Sequence, residues 1–221
     1  MLISCRSLAE YRGMFALTEE DLRRRILDCP GGASSFTAEV TAAGGDVTAC
    51  DPIYATTTPA ELALLALTEV ERGNAYVRAH PDGFGWTFFA DPAAHRSTRR
   101  AAARTFAAHL ATGSNHYVPG ALPELPFEDR RFDLVLSSHL LFSYADRLDL
   151  DFHHQAIAEL VRISRSEVRV YPLLAVGEAS PYLRLEQLLS DLNRDGIRAL
   201  TTEVSYQFQR GAQHMLVCTR R

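Results

Sequence analysis

The chain of 221 residues contains no lysine, so all 23 of its basic residues are arginines. This absence excludes three classes of site that need a lysine: the lysine-bearing phosphate loop, the Schiff base to pyridoxal phosphate, and the lysine general base. The formal net charge of −4 and the isoelectric point near 6.1 provide no overall basic field to gather nucleic acid. We therefore expect no nucleic-acid partner.

Long apolar runs are also scarce. Arg6, Glu10 and Arg12 interrupt the N-terminal stretch before it can form the apolar core of a signal peptide. No run approaches the roughly 18 apolar residues that a membrane span needs. We therefore expect a soluble, cytoplasmic protein with no membrane partner. An apolar content of 47% is enough for one sizeable core, which favours a single domain over residues 1–221.

Cysteines are few, and their spacing matches no metal site. The four, at positions 5, 29, 50 and 218, form no CxxC pair and no Cys/His cluster with zinc spacing. We expect small, buried, apolar side chains and no bound metal. If Cys29 and Cys50 end neighbouring strands they lie close together, but the absence of secretory signals disfavours a disulfide between them.

The apolar pattern predicts an alternation of strands and helices. Thr18 and Asp21 predict a short helix, followed by the strand RILDC, the loop PGGA, a helix ended by Gly44-Gly45 and the strand DVTAC. This β-α-β start implies a parallel sheet covered by helices. Further elements are predicted after residue 115: strands at HYVPG, FDLVLSS and EVRVYPLL, and helices at FHHQAIAELVRIS and from Pro181 to about Asn193. The runs ALTTEVSYQF and QHMLVCT predict a final hairpin whose last strand runs antiparallel to the rest.

The segment from about residue 52 to 115 is too long for an ordinary connection between strands. Thr58 and Asp91 are each followed by a proline, which is typical of a helix N-terminus, and helical spacing continues after both. We interpret the segment as a helical cap inserted after the second strand.

One face of the second inserted helix combines apolar and polar residues. His95, Arg99 and Phe106 share this face, so we expect His95 and Arg99 to point inward with Phe106, near Trp86. A buried arginine requires an anion. Two sources stay open: an acidic group on a bound acceptor, or an internal salt bridge with Asp91 or Glu69.

Polar residues follow several of the predicted strands, at the edge where open α/β sheets bind ligands. Asp28 and Asp51 end the first two strands, and Ser138 and His139 end the fourth. Asp51 lies roughly 20 residues beyond Asp28, the spacing at which an acid accepts hydrogen bonds from ribose hydroxyls. The alternative is an aspartate that merely starts the turn before Pro52.

Taken together, these motifs resemble the class I S-adenosylmethionine (SAM) dependent methyltransferases. The resemblance rests on ILDCPGGASS, on ACD at 49–51, on LPELPFEDRRFDLVLSSHLLF at 122–142 and on the terminal hairpin. It implies a Rossmann-like α/β fold, a mostly parallel seven-stranded sheet with a terminal antiparallel strand, and SAM as cofactor with S-adenosylhomocysteine (SAH) as product. It assigns cofactor-binding roles to Asp28, Pro30, Gly31 and Gly32 at the methionine moiety, Tyr11 over its carboxylate, Asp51 with Pro52 at the ribose, Ala121 and Leu122 at the adenine, and Ser138.

The chain departs from the family pattern in the first loop and near the adenine. Pro30 and Ser34 stand where glycines are usual, and the common adenine-binding aspartate is replaced near Ala121. A backbone N–H can still donate a hydrogen bond to the adenine. We therefore expect altered cofactor contacts and retained binding.

For catalysis, the resemblance places His139 opposite the donor methyl group, where its near-neutral pKa suits proton removal from an acceptor. The alternative is a histidine satisfied by backbone groups. His153, on the inward face of its helix, is a second catalytic candidate. The candidates for binding the acceptor are Tyr54, Trp86, His95 and Arg99.

We accordingly expect methyl transfer from SAM to a small-molecule acceptor enclosed by the helical cap. Two alternatives stay open. The first is a non-catalytic protein of the same fold that binds SAM or SAH. The second is a nicotinamide-dependent oxidoreductase, which PGGASS disfavours because it lacks the GxGxxG sequence that allows a pyrophosphate to approach.

Overall fold

The structure is a computed structural model, and it describes residues 3–178 and 180–221. Its centre is a seven-stranded sheet. The strands are β1 (Arg25–Asp28), β2 (Asp46–Cys50), β3 (Tyr117–Val118), β4 (Phe132–Ser138), β5 (Ser164–Tyr171), β6 (Ile197–Glu203) and β7 (His214–Arg220). Their order is β3-β2-β1-β4-β5-β7-β6, with β1 to β5 parallel and β7 antiparallel to both of its neighbours. The predicted Rossmann-like sheet is confirmed.

Seven α-helices lie within the described part of the chain. They are α1 (Leu8–Phe15), α2 (Phe36–Ala42), α3 (Ile53–Thr56), α4 (Pro59–Ala79), α5 (Pro92–Leu110), α6 (Leu150–Ile163) and α7 (Leu185–Arg194). The two predicted caps of the inserted helices are confirmed. Thr58 forms a capping box with Glu61, and the Asp91 side chain accepts a hydrogen bond from the backbone N–H of Ala94.

Three local predictions differ from the structure. The helix expected after Thr18 is a single 3₁₀ turn, Asp21–Arg23, whereas the helix α1 before it was not predicted. Helix α7 begins at Leu185 rather than Pro181, because the Tyr182 backbone N–H donates to the Leu173 carbonyl instead of entering the helix. Strand β6 ends at Glu203, and the aromatic residues that follow it pack elsewhere.

The sheet is buried on both faces, as its nearly continuous apolar strands require. Alternate residues of β1 and β4 enter opposite clusters: Ile26 and Leu134 face α1 and α2, whereas Leu27 and Val135 face α6 and α7. All four cysteines are buried and free, as predicted. No helix within the described ranges is long and apolar enough to cross a membrane.

Helices α4 and α5 and the loop between them form hydrogen bonds with two distant parts of the chain. The Cys5 thiol, in the N-terminal segment that precedes β1 (residues 3–24), donates to the Ala66 carbonyl of α4 at 3.5 Å. The loop between α4 and α5 is hydrogen-bonded to the connection between β6 and β7, since the Gly85 N–H donates to the Phe208 carbonyl at 2.7 Å. The segment from 52 to 115, predicted to be an insertion and given that name below, therefore packs with the rest of the chain.

A buried ion-pair network fixes the N-terminal segment to the sheet. The Asp21 carboxylate accepts hydrogen bonds from Arg24 at 3.0 Å, from the Arg169 guanidinium of β5 at 3.1 and 3.3 Å, and from the Thr18 backbone N–H at 3.1 Å. Burial opposes its ionisation, but the hydrogen bond from Thr18 and the charge of Arg169 prevail and lower the pKa of Asp21.

We predict that Asp21→Asn lowers the free energy of unfolding by about 1–3 kcal/mol near pH 7, because the Arg169 guanidinium loses one of its two carboxylate partners, Asp21 and Glu167. A carboxylate with a lowered folded-state pKa stabilises above its unfolded-state pKa of roughly 3.9, and this contribution disappears as the pH falls through the folded-state pKa. Urea unfolding at neutral and acidic pH should therefore show a difference from wild type that shrinks in acid.

The matched control is Asp46→Asn. Asp46 pairs with Arg25 at 2.9 Å, but about half of its side chain is exposed (52%), so its removal should change stability by less than about 0.5 kcal/mol. Equal losses for the two variants would contradict the anchoring role of Asp21.

Candidate functional site

The loops after β1 and β2 are joined by direct hydrogen bonds at the carboxyl edge of the sheet. The Gly32 N–H donates to Asp51 Oδ2 at 3.0 Å, and the Gly31 N–H donates to the Cys50 carbonyl at 3.0 Å. The Tyr54 hydroxyl donates to the Gly32 carbonyl at 2.8 Å. The first two sequence motifs therefore form one hydrogen-bonded unit.

The double glycine has a packing role in this unit. A Cβ atom on Gly31 would lie 2.7 Å from both the Ala49 Cβ and the Tyr54 hydroxyl, so no side chain fits there. Gly32 has φ +52°, a left-handed conformation that favours glycine. Gly31 is thus required by the contact of the loop with β2, whereas the sequence alone suggested an approach to a ligand.

Asp28 is enclosed at the end of β1. The Tyr11 hydroxyl is 3.0 Å from both carboxylate oxygens, the Ser34 hydroxyl donates at 3.4 Å, and the side chain is fully buried. Burial raises the pKa of Asp28 to about 8, outweighing the hydrogen bond from Tyr11, and the charge of Asp51 raises it further. Tyr11, expected over the methionine carboxylate of a cofactor, lies with its hydroxyl against the Asp28 carboxyl group.

Asp51 is more open than Asp28. Each of its oxygens accepts one backbone hydrogen bond, from Ile53 and from Gly32, both at 3.0 Å, and each retains capacity to accept another. The side chain is partly exposed, although burial raises its pKa. The neighbouring Pro52 is exposed and precedes α3.

The two residues expected at an adenine lie in the turn that follows β3. Ala121 is exposed, and its carbonyl accepts a hydrogen bond from the Glu124 N–H at 3.1 Å. Leu122 is half-buried and packs against the core cluster beneath α6 and α7.

His139 follows β4 in a left-handed conformation, φ +54°. Its backbone N–H donates to the Tyr171 carbonyl at 2.7 Å, and Nδ1 lies 2.8 Å from the hydroxyl of buried Ser138. Burial lowers the pKa of His139 well below its usual value, and the nearby cations Arg6 and Arg99 lower it further. The imidazole is therefore neutral at physiological pH.

His153 is in a different environment from His139. Its imidazole is fully buried, Nδ1–H donates to the Asp149 carbonyl at 2.6 Å, and the ring stacks on Tyr182 with 4.8 Å between centroids. Phe142 contacts it at 5.2 Å between centroids. These contacts are those of a core histidine that orders the start of α6.

The inward orientation of His95 and Arg99 is confirmed, since they are 5% and 7% exposed. The anion beside Arg99 is Glu10, at 2.7 Å from Nη2. The predicted internal partners were wrong: Asp91 caps α5, and Glu69 pairs with Arg72. Of the two sources left open, the structure contains an internal salt bridge, supplied by the N-terminal helix.

An aromatic group continues from Arg99 toward the β6–β7 connection. The Arg99 Nε–H donates to His95 Nε2 at 3.3 Å, and burial lowers the pKa of His95 to about 3, which keeps this acceptor unprotonated. The Phe208 ring contacts His95 and Trp86, at 4.7 and 5.7 Å between centroids. Three of the predicted acceptor residues, Trp86, His95 and Arg99, are thus brought together, whereas Tyr54 is part of the glycine-loop unit.

The N-terminal segment contributes residues that the sequence analysis did not assign to the site. Glu10, on α1, is fully buried and accepts hydrogen bonds from Arg99, the Tyr206 hydroxyl and Ser7. Arg6 is close enough to lower the pKa of His139. The spacing Ser7-x-x-Glu10 is a capping-box signature that predicts α1, but it contains no information about the distant partners of Glu10.

Comparison with known proteins places this geometry in a family. A family model described as a methyltransferase domain matches residues 91–171, from α5 to the end of β5. An uncharacterized protein of Methanocaldococcus jannaschii is 30% identical over 217 residues, which cover 97% of this chain and 94% of that protein. A TehB-like SAM-dependent methyltransferase from Corynebacterium glutamicum aligns with a TM-score of 0.50 at 16% identity, over 96% of this chain and 87% of that chain.

These matches agree with the architecture. The matched segment contains β4 and His139, and the fold comparison extends over nearly the whole chain. The mostly parallel seven-stranded sheet with antiparallel β7 is the arrangement that the sequence resemblance implied. The chain therefore matches the methyltransferase-domain family over residues 91–171 and has the fold of class I SAM-dependent methyltransferases.

Proposed function

We propose that this chain transfers the methyl group of SAM to a small-molecule acceptor and releases SAH. The observation that supports the proposal most strongly is the hydrogen-bonded unit of the glycine loop and Asp51. This unit lies at the carboxyl edge of the sheet, where open α/β folds bind their ligands, and β4 presents His139 at the same edge.

The residues present suit the ribose of the cofactor. Asp51 is partly exposed, and its oxygens can accept hydrogen bonds from the two ribose hydroxyls in addition to the two backbone N–H groups. We assign Asp51 to the ribose, with Pro52 shaping the turn beside it. The exposed turn at Ala121 and Leu122 is assigned to the adenine.

The methionine end involves Asp28, the loop from Pro30 to Gly32, and Tyr11. Asp28 is enclosed, and the space beside Gly32 is bordered by the Ser4 carbonyl, 3.7 Å from where a Cβ would lie. Binding in this position therefore requires the Tyr11 hydroxyl to leave its contact with the Asp28 carboxyl group. The cofactor ammonium then replaces the Tyr11 hydroxyl as the partner of an ionised Asp28.

Methyl transfer needs a donor and an acceptor held in line, with water excluded, and a base only for acceptors that must lose a proton. We assign the base to His139. With Nδ1–H donated to the Ser138 hydroxyl, Nε2 is free to accept a proton, and the lowered pKa keeps the ring unprotonated. The enclosed His153 is assigned a structural role instead.

The acceptor side is assigned to the group formed by Trp86, His95 and Arg99 on the insertion. The aromatic surfaces of Trp86 and Phe208 suit an acceptor with apolar area, and the packed insertion can exclude water from it. Tyr54, by holding the Gly32 carbonyl, would position the cofactor loop.

Methyl transfer itself can be tested with SAM that carries an isotopic methyl label. We expect the chain to transfer the label to a compound in a small-molecule cell extract, with equimolar formation of SAH. Tight SAH binding without label transfer would favour the non-catalytic alternative.

We predict that Asp51→Asn weakens SAH binding by about 1–3 kcal/mol, because a neutral amide loses charge-assisted hydrogen bonds to the ribose. Calorimetric titration with SAH measures the difference. Asp46→Asn, at the other end of the same strand, is the matched control and should bind SAH as wild type does. Unchanged affinity in Asp51→Asn would remove the ribose assignment.

Asp28 generates a pH-dependent prediction. Its pKa of about 8 in the ligand-free chain means that it is mostly protonated at pH 7, whereas an ammonium partner requires the carboxylate. SAH binding at pH 7 should therefore release close to one proton, and the release should fall as the pH rises through that pKa. Titrations in buffers of different ionisation enthalpy measure it, and Asp28→Asn should release none. Proton-neutral binding by wild type at pH 7 would contradict the assignment.

A further inference from the structure

Arg6 is a cation near the centre of the site that has no acidic partner. Within residues 3–178 and 180–221, its guanidinium forms no ion pair with a carboxylate; it contacts the Ser4 hydroxyl, and its Nε is buried without a hydrogen-bond partner. The Arg6 carbonyl accepts a hydrogen bond from the Ser35 N–H at 2.9 Å, which fixes this residue over the start of α2. A cationic group with a buried, unpartnered Nε is costly unless an anion joins it.

Arg99 also has an unused donor. Its Nη2 pairs with Glu10 and its Nε donates to His95, but Nη1 is buried and has no partner among the described residues. With 7% of its surface exposed, Arg99 cannot satisfy this donor with bulk water.

Glu10 does not neutralise both cations. Its carboxylate already accepts hydrogen bonds from Arg99, from the Tyr206 hydroxyl at 3.0 Å, and from the N–H and hydroxyl of Ser7 at 3.1 and 3.3 Å. The nearby Asp28 is mostly protonated at neutral pH. Glu10 therefore pairs with Arg99 alone, and the positive charge of Arg6 has no carboxylate partner among the described residues.

One hydrogen bond and two contacts between rings connect Glu10, the partner of Arg99, with His139. Tyr206, which donates to Glu10, lies 6.0 Å from Tyr171 between ring centroids, and Tyr171 lies 5.5 Å from the His139 ring. Arg6 and Arg99 both lower the pKa of His139, and Arg99 lowers the pKa of Arg6. Ser7, which directly follows Arg6, donates to the Glu10 carboxylate that pairs with Arg99, so Arg6 and Arg99 are both neighbours of Glu10. The ring contacts of Tyr206 and Tyr171 connect this group to the proposed base.

We infer that Arg6 and Arg99 together bind a carboxylate or comparable oxyanion of the methyl acceptor, and so hold its nucleophilic atom beside His139. The inference rests on the proposed methyltransferase function. The location of Arg99 favours the acceptor over the methionine carboxylate of the cofactor. Arg99 belongs to the insertion and contacts His95 and Glu10, whereas the assigned cofactor residues follow β1 and β2.

The test uses small carboxylates and their neutral amides as probes of the full chain. Acetate and benzoate are titrated calorimetrically at constant ionic strength into wild-type protein saturated with SAH, and acetamide and benzamide are titrated in parallel. We expect the carboxylates to bind about 10- to 100-fold more tightly than the amides, which is the range that hydrogen bonds to charged groups provide. This comparison needs no variant.

Arg6→Gln identifies the residues involved. It should weaken carboxylate binding by about 10- to 100-fold while SAH affinity changes by less than about threefold. Arg96→Gln is the matched control, because Arg96 lies on the outer face of α5 and pairs with Glu71. If Arg6→Gln does not fold, the double variant Glu10→Gln/Arg99→Gln removes one cation and its partner together and should show the same loss.

A third experiment distinguishes a carboxylate of the acceptor from the methionine carboxylate of the cofactor. The titrations are repeated with wild-type protein saturated with 5′-methylthioadenosine, which lacks the methionine carboxylate. Carboxylate binding only in this form would overturn the inference, because the site would then serve the cofactor. Equal binding of carboxylates and amides, or unchanged carboxylate binding in Arg6→Gln, would also overturn it. Failure of wild type to bind SAH would count against the proposed function, and carboxylate titration of the ligand-free chain would still test the anion site.

Discussion

Glu10 is a carboxylate with no exposed surface, and its partners come from three separate segments. Ser7 belongs to its own helix cap, Arg99 to the insertion, and Tyr206 to the connection between β6 and β7. A buried charge is tolerated only when these partners are present together. The N-terminal segment, the insertion and the terminal hairpin therefore stabilise one another over the carboxyl edge of the sheet. Separation of the first two leaves Glu10 and Arg99 unpaired, and separation of the hairpin removes a hydrogen bond from Glu10.

Asp28 and Asp51, at the ends of adjacent strands, have identical side chains but differ in burial and in hydrogen-bond partners. Asp28 is enclosed by Tyr11 and Ser34, and its proton is retained at neutral pH. Asp51, at the end of the adjacent strand, is partly open and is oriented by two backbone N–H groups. The difference arises from the N-terminal segment, which covers the first strand end and leaves the second accessible. The accessibility of the two strand ends thus depends on that segment as well as on the glycine loop.

Much of the fold could be predicted from sequence because its signals are local. Short apolar runs predicted the strands, and Thr58 and Asp91 predicted the starts of α4 and α5. The strand ends then located Asp28, Asp51 and His139 at one edge, and the family resemblance is confirmed. The partners of these side chains could not be predicted, because Tyr11 meets Asp28, and Glu10 meets Arg99, only after distant segments pack together. For the same reason, the packing of Gly31 against Ala49 was not evident from the loop.

The order of the strands also determines how the sheet ends. Its two outermost strands are β3, with two residues, and β6, which bears the exposed charges of Arg198 and Glu203. A strand of two residues offers few free N–H and C=O groups for another chain, and charged residues along an outer strand discourage further pairing. The central apolar strands are thus protected at both sides from edge-to-edge aggregation between copies of the protein.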